Sequence, residues 1–179
     1  MNFLTGAMRA DTIELMQPVE KPGDEKNLKR VGVISDTHGL LRDSAAEALR
    51  GCDLILHAGD IGHPGIIDAL EAIAPVVAVR GNMDKGEWAG RYNQWETVEV
   101  AGRYIYMLHD IADLDLDPVG QFDVVVYGHS HAPYNSVRKG VLFFNPGSAG
   151  PGRFRLPVSV GLLTIDDGSV KGRWVMLDA

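Results

Sequence analysis

Val31-Gly32-Val33-Ile34-Ser35-Asp36-Thr37-His38-Gly39 decides how this chain is read. Its β-branched apolar run predicts a buried strand, and its closing glycine marks a turn. Between strand and turn stand a carboxylate and an imidazole two residues apart. Alternate side chains of an extended chain point the same way. If that geometry persists one step past the strand, Asp36 and His38 converge on one point. A hard oxygen and a borderline nitrogen meeting there suit a divalent metal. One Asp-x-His pair is common in loops, so the weight rests on repetition.

The pattern recurs four times downstream. Asp53-Leu54-Ile55-Leu56-His57-Ala58-Gly59-Asp60 ends in a carboxylate, and Val76-Val77-Ala78-Val79-Arg80-Gly81-Asn82 ends in an amide. Tyr104-Ile105-Tyr106-Met107-Leu108-His109 ends in an imidazole. Asp123-Val124-Val125-Val126-Tyr127-Gly128-His129-Ser130-His131 ends in a second i, i+2 pair. Any one such residue is more often a turn former or a packed histidine. Consecutive strand-like runs that all close on Asp, Asn or His are not explained that way. In open α/β sheets ligands bind beyond the carboxyl ends of the strands. These residues are therefore expected to gather at one rim as a polynuclear metal site.

Composition bounds the rest. A chain of 179 residues, 45% apolar and 23% charged, predicts one soluble domain with a substantial core. No apolar run approaches about 18 residues, so no membrane-spanning helix is expected. The opening Met1-Asn2-Phe3-Leu4-Thr5-Gly6-Ala7-Met8-Arg9 has no basic segment followed by an apolar one, unlike a signal peptide. Cys52 is the only cysteine, which excludes an internal disulfide and favours a small buried side chain. A cytoplasmic location follows as the expectation. The net charge of −7, with no basic stripe, argues against extended DNA or RNA. A phosphate-bearing substrate needs metal cations to supply positive charge. Self-association into a homo-oligomer stays open.

Along the chain, residues 1–29 lack periodicity and read as a loosely ordered tail, leaving 30–179 as the domain. Ser44-Ala45-Ala46-Glu47 has the pattern of a capping box opening a helix that buries Ala45, Ala48 and Leu49. A second helix is expected from Pro64, with Ile66, Leu70 and Ile73 on one face and Pro75 ending it. Strand–helix–strand–helix–strand makes a βαβαβ unit. The second half reads instead as hairpins, turning at Ala101-Gly102, Lys139-Gly140 and Asp166-Asp167-Gly168. A parallel half and an antiparallel half suggest two sheets packed face to face with helices outside.

These motifs, in this order, resemble the calcineurin-like metallophosphoesterases, in particular their small bacterial and archaeal phosphodiesterases. The resemblance rests on Asp36-Thr37-His38, Gly59-Asp60, Gly81-Asn82-Met83-Asp84, His109, Gly128-His129-Ser130-His131 and Asn145-Pro146-Gly147-Ser148. It covers residue 31 to the end and implies a four-layer α/β/β/α sandwich of two mixed sheets. It further implies that Asp36, His38, Asp60 and His131 hold one metal. Asp60, Asn82, His109 and His129 would hold the other, with Asp60 bridging and with Asp60, Asn82 and His109 acting in catalysis. Mixed oxygen and nitrogen donors suit Mn²⁺ first, with Fe, Zn²⁺ or Ni²⁺ as alternatives. The implied reaction is hydrolysis of a small, nucleotide-like phosphodiester by a hydroxide bridging the metals. The alternatives are a non-catalytic interaction scaffold, since a retromer subunit is similar in fold, and a one-metal structural site in a sugar- or nucleotide-binding protein. The first has no need to keep every ligand, and the second leaves Asn82 and His109 without a purpose.

Other polar residues weigh less. His57 reads as packed or supporting rather than as a ligand, and His63 as exposed. Asp84 either orients a ligand or serves the turn. Arg153 and Arg155 read as surface residues, with phosphate contact as the alternative. Asp113-Leu114-Asp115-Leu116-Asp117 mimics the start of a calcium loop, but Pro118 and Val124 stand where that loop needs Gly and Glu. Two departures from the family pattern stand out. Met83 occupies the place of a proton-donating histidine found in many members, and Asp110 follows His109 where glycine is usual.

Overall fold

The β-branched runs form strands that assemble into two five-stranded sheets in the computed structural model, which describes residues 28–152, 155–166 and 168–178. Strands β1 (Lys29–Ile34), β2 (Leu54–His57) and β3 (Val76–Ala78) run parallel, linked by helices α1 (Asp43–Ala48) and α2 (Gly65–Glu71). This is the expected βαβαβ unit. The later strands are β4 (Trp95–Val100), β5 (Arg103–Leu108), β6 (Val124–Val126), β7 (Tyr134–Arg138), β8 (Val141–Asn145), β9 (Ser159–Ile165) and β10 (Val170–Met176).

The second half is not one antiparallel sheet. The first sheet has the order β10-β9-β1-β2-β3 and the second β4-β5-β6-β8-β7, so the last hairpin returns to the first sheet. There β9 lies antiparallel to β1, with Val33 opposite Gly161. Burial explains the return. Val160 and Leu162 on one face of β9, and Leu163 and Ile165 on the other, are all buried. A strand apolar on both faces is stable inside a covered sheet and not at an edge. The second sheet is mixed too, because β6 runs parallel to both β5 and β8.

Three apolar layers result. Ile34, Leu49, Ile55 and Leu70 pack between the helices and the first sheet. Val31, Val33, Leu56, Met107, Val126 and Phe144 fill the space between the sheets. Phe144 fits there because β9 and β10 carry glycines beneath it. A Cβ at Gly161 would lie 2.3 Å from the ring, and one at Gly172 2.6 Å. Outside the second sheet, Tyr106, Leu108 and Val125 are covered by Ile111, Leu114 and Leu116. The fold is thus the expected α/β sandwich of two mixed sheets. Its outermost layer there is the 110–122 segment with a 3₁₀ turn at Ile111–Asp113.

Local expectations fare unevenly. α2 buries Ile66 and Leu70 and ends before Pro75. At α1 no capping box forms: the N-cap is Arg42, without a side-chain cap, and Ser44 lies inside the helix. Asp43 instead places negative charge in the first turn, which the helix dipole favours. Ala45 and Leu49 are buried and Ala48 only half-buried. Residues 1–27 of the expected tail lie outside the described residues, and Lys29 already pairs with Ile165, so the tail cannot extend to 29. Cys52 is buried, and burial pushes its thiol pKa up. No helix among the described residues is long and apolar enough to cross a membrane.

Candidate metal centre

The loops after β1, β2, β3, β5 and β6 meet at one rim. Asp36, His38, Asp60, His129 and His131 all take positive φ there, between 47° and 65°. Asp and His tolerate this conformation better than most residues, but it still costs energy and persists only when surroundings impose it. Asp36 and His38 therefore do not converge because extended geometry continues. They converge because the backbone turns sharply at each of them. Neighbouring loops hold those turns: Asp36 N–H donates to Gly59 O at 3.0 Å, and His38 N–H to Asp60 O at 2.9 Å.

The side chains form two groups. Asp36, His38 and His131 offer ligand-type atoms within 4.8 Å of one another, and so do Asp36, Asp60 and His109. His38 Nε2 and His131 Nε2 face each other at 3.3 Å, and His131 Nε2 lies 3.2 Å from Asp36 Oδ1. Asp60 Oδ2 stands between the rings of His109, at 3.5 Å, and His38, at 3.9 Å. His109 Nδ1–H donates to Ala58 O at 2.8 Å, which leaves the lone pair on Nε2 facing Asn82 Oδ1 at 3.2 Å. Burial opposes charge on both Asp60 and His109. Their mutual contact outweighs it only together with the Met83 N–H and His38 beside Asp60, and with Ala58 O and Asp36 beside His109, so the Asp60 pKa is lowered and that of His109 raised.

His129 sits at the margin. It is half-exposed and belongs to neither group, reaching them through Asn82 Oδ1, 3.2 Å from its Nδ1. Its Nε2 faces Asp110 Oδ2 at 3.4 Å. A carboxylate on the far nitrogen of a histidine fixes its ring and tautomer. Asp110 thus does more than shape its loop, although it also caps the 3₁₀ turn through Ala112 N–H.

Several supporting residues carry the loops. Asp84 accepts from Gly81, Ile61 and Gly62 N–H at 2.8, 3.1 and 2.8 Å, so it ties two loops together. Thr37 Oγ1 donates to Ile61 O and accepts from His57 Nε2–H, while His57 Nδ1 accepts from Gly59 N–H. Both ring nitrogens of His57 are thereby engaged, and it is no ligand. Burial pushes its pKa down to about 4, so it stays neutral. Gly81 leaves room for the Asp60 carboxylate, since a Cβ there would meet Oδ1 at 2.1 Å. A cleft of about 440 Å³ opens beside the centre, shared by Asn82, His109 and His129 with Arg80, Trp95 and Tyr106.

A family model for the calcineurin-like phosphoesterase superfamily domain matches residues 30–168. The chain belongs to that superfamily. A probable metallophosphoesterase of Methanothermobacter thermautotrophicus is 34% identical over 155 residues, covering 76% of this chain and 86% of its own. Phosphodiesterase YfcE of Escherichia coli K12 is 30% identical over 161 residues, covering 76% and 88%. Vacuolar Protein Sorting 29 of Cryptosporidium parvum superposes with a TM-score of 0.67 over 85% of this chain and 99% of its own. At 19% identity that likeness shows the fold alone.

Within this phosphoesterase the residues least legible in the sequence are those that brace the ligands. Ser35 Oγ donates to Asp36 Oδ2 at 2.7 Å, although Ser35 looks like the end of a strand. Asn145 Nδ2 donates to Gly128 O at 2.7 Å and to Ser130 Oγ at 3.1 Å, pinning the loop that carries His129 and His131. Ser148 Oγ and Gly150 N–H both donate to Asp36 O. The Asn-Pro-Gly-Ser segment is visible as a motif, but its service to two distant loops is not. Arg80 adjoins Gly81-Asn82 and escapes notice for want of any pattern. His63 and Arg155 are exposed, as expected, and Arg153 lies outside the described residues.

Proposed function

We propose that this phosphoesterase hydrolyses small phosphodiesters at a site holding two divalent ions. One observation carries the reading. Asp36 Oδ1 is fully buried, accepts no hydrogen bond, and faces His131 Nε2, which itself faces His38 Nε2. A buried carboxylate oxygen without a donor is costly, and a cation among these atoms removes the cost. The donor set fits Mn²⁺ first, with Fe, Zn²⁺ or Ni²⁺ as alternatives. Asp36, His38, Asp60 and His131 would hold one ion, and Asp60, Asn82, His109 and His129 the other. When bound, two such ions acidify water and offset phosphoryl charge.

The chain's own residues set the conditions for that chemistry. Ala58 O fixes the His109 tautomer, and Asp110 fixes that of His129, so each ring turns a lone pair inward. Met83 N–H donates to Asp60 Oδ1 at 2.8 Å and holds that carboxylate in place. The Met83 thioether has no proton for a leaving group. The relatives' names, metallophosphoesterase and phosphodiesterase, support the reading. The buried Asp36 oxygen supports a bound cation, and hydrolysis of a diester is what separates this reading from a metal-holding scaffold of the same fold. A cytoplasmic location, which a single buried and unpaired cysteine suits, is part of the same proposal.

Loading with Mn²⁺, metal analysis and hydrolysis of bis(p-nitrophenyl) phosphate test the proposal together. The expected stoichiometry is two ions per chain, and Asp60→Asn should lower occupancy of both. A firm value of one under saturating metal removes the two-ion site. Full occupancy without hydrolysis of any diester removes the phosphodiesterase reading.

A further inference from the structure

The cleft beside the centre has a second wall that the ligand set does not use. Trp95 stands at the start of β4, paired with Leu108 across the outer face of the second sheet. Its indole stacks on Tyr106, with ring centroids 5.8 Å apart and planes 21° from parallel. Tyr106 is buried, whereas Trp95 remains 57% exposed. One aromatic face is thus braced from behind while the other stays open. Arg80 lines the same cleft, half-buried, with no ion pair or side-chain hydrogen bond among the described residues. Asp113 and Asp115 line the cleft as well. The alternation that resembles a calcium loop explains their place: Leu114 and Leu116 pack inward on the sheet, which leaves the acids outward.

Each wall selects something. A braced, open indole is a stacking platform for a planar ring, and base stacking tolerates any nucleobase. A guanidinium that no described residue pairs with, in a cleft shared with Asn82, His109 and His129, suits a phosphate oxygen. The carboxylates oppose further phosphates, so the group stacked there is a neutral nucleoside rather than a polyphosphate. A volume of about 440 Å³ falls in the range of small-ligand sites. We infer that the substrate is a nucleoside phosphodiester, its base stacked on Trp95 and its phosphate held by Arg80. This deepens the phosphodiesterase reading and rests on it.

The test compares thymidine 5′-(p-nitrophenyl) phosphate with methyl p-nitrophenyl phosphate. They share phosphate and leaving group and differ in the group that stays behind. The Mn²⁺-loaded protein should prefer the nucleoside ester by about tenfold or more in kcat/KM, mainly through KM. Trp95→Ala should bring that ratio towards one, and Trp95→Phe should retain most of it. Arg80→Met should lower kcat/KM for both esters by about tenfold or more, because both carry the phosphate. Thymidine 5′-monophosphate should quench the tryptophan fluorescence of the Zn²⁺-loaded protein, and Trp95→Ala should abolish the quenching. Hydrolysis of both esters at a ratio near one overturns the inference and leaves the phosphodiesterase reading intact. So does a ratio that Trp95→Ala leaves unchanged. If neither ester is hydrolysed the broader reading fails, and absent or unaltered quenching then overturns the inference independently.

Discussion

Met83 serves the centre through its backbone, while its thioether is 52% exposed at the rim. A positioned general acid typically contributes about 10²–10⁴-fold to expulsion of a poor leaving group, and sulfur cannot supply that proton. His57 cannot substitute, because it is fully buried with both ring nitrogens bonded to protein. The rate should therefore fall steeply as leaving-group pKa rises across a series of substituted phenyl diesters. Met83→His should flatten that slope and help the poorest leaving groups most; a shallow slope in the unaltered protein would reveal another acid. His57 supports a second expectation. Its folded pKa, about 4, lies below the unfolded value near 6.5, so the unfolded chain binds the extra proton. This contribution is fully present above pH 6.5 and is lost as pH falls towards 4, by about 3 kcal/mol in all. Proton NMR should show a His57 ring that does not titrate between pH 8 and 5, alongside an acid-sensitive unfolding free energy.

At the scale of elements, the loops matter more than the helices. α1 and α2 have six and seven residues, too few to persist alone, and neither has a side-chain N-cap. They endure because their apolar faces cover the first sheet. The loops are held by side chains that never reach a metal. Asn145, at the end of β8, grips the 128–131 loop and accepts from Gly147 N–H at 2.8 Å. Asn145→Ala should weaken metal binding by about 10–100-fold, a typical loss for a group that orients ligands. Competition with a chelator measures this while every ligand stays in place. Unchanged affinity would mean that the loop's other bonds, Gly128 N–H to His109 O and His129 N–H to Asp36 Oδ2, suffice to hold it.

For the whole molecule, the space between the sheets is a fully buried apolar layer, and Phe144 is its largest fully buried side chain. Phe144→Ala should cost about 3–5 kcal/mol. The loss should approach the upper end, because glycines at 161 and 172 bring backbone, not mobile side chains, against the ring. Denaturant unfolding gives the value, and a loss under about 1 kcal/mol would mean that the sheets close over the gap. The same packing places the metal ligands, since β1, β2 and β3 belong to one sheet and β5 and β6 to the other. Loosening the interface should therefore weaken metal affinity as well as stability.

The strands, their hairpin turns and the chemical type of each residue at the rim follow from local sequence. Those features are local. The turns at Ala101-Gly102 and Lys139-Gly140 need only a few residues able to adopt positive φ, and all four do so. Tertiary structure decided which sheet the last hairpin joins, because the choice depends on burying both faces of β9 beside β1. It also decided the left-handed backbone at Asp36, His38 and Asp60, imposed by hydrogen bonds between loops rather than by local preference. Ser148 reaches Asp36 across 112 residues of chain, a separation at which no periodicity carries information. The same physics hid Trp95 and Arg80. A strand residue and a loop arginine acquire a shared cleft only when two sheets fold against each other.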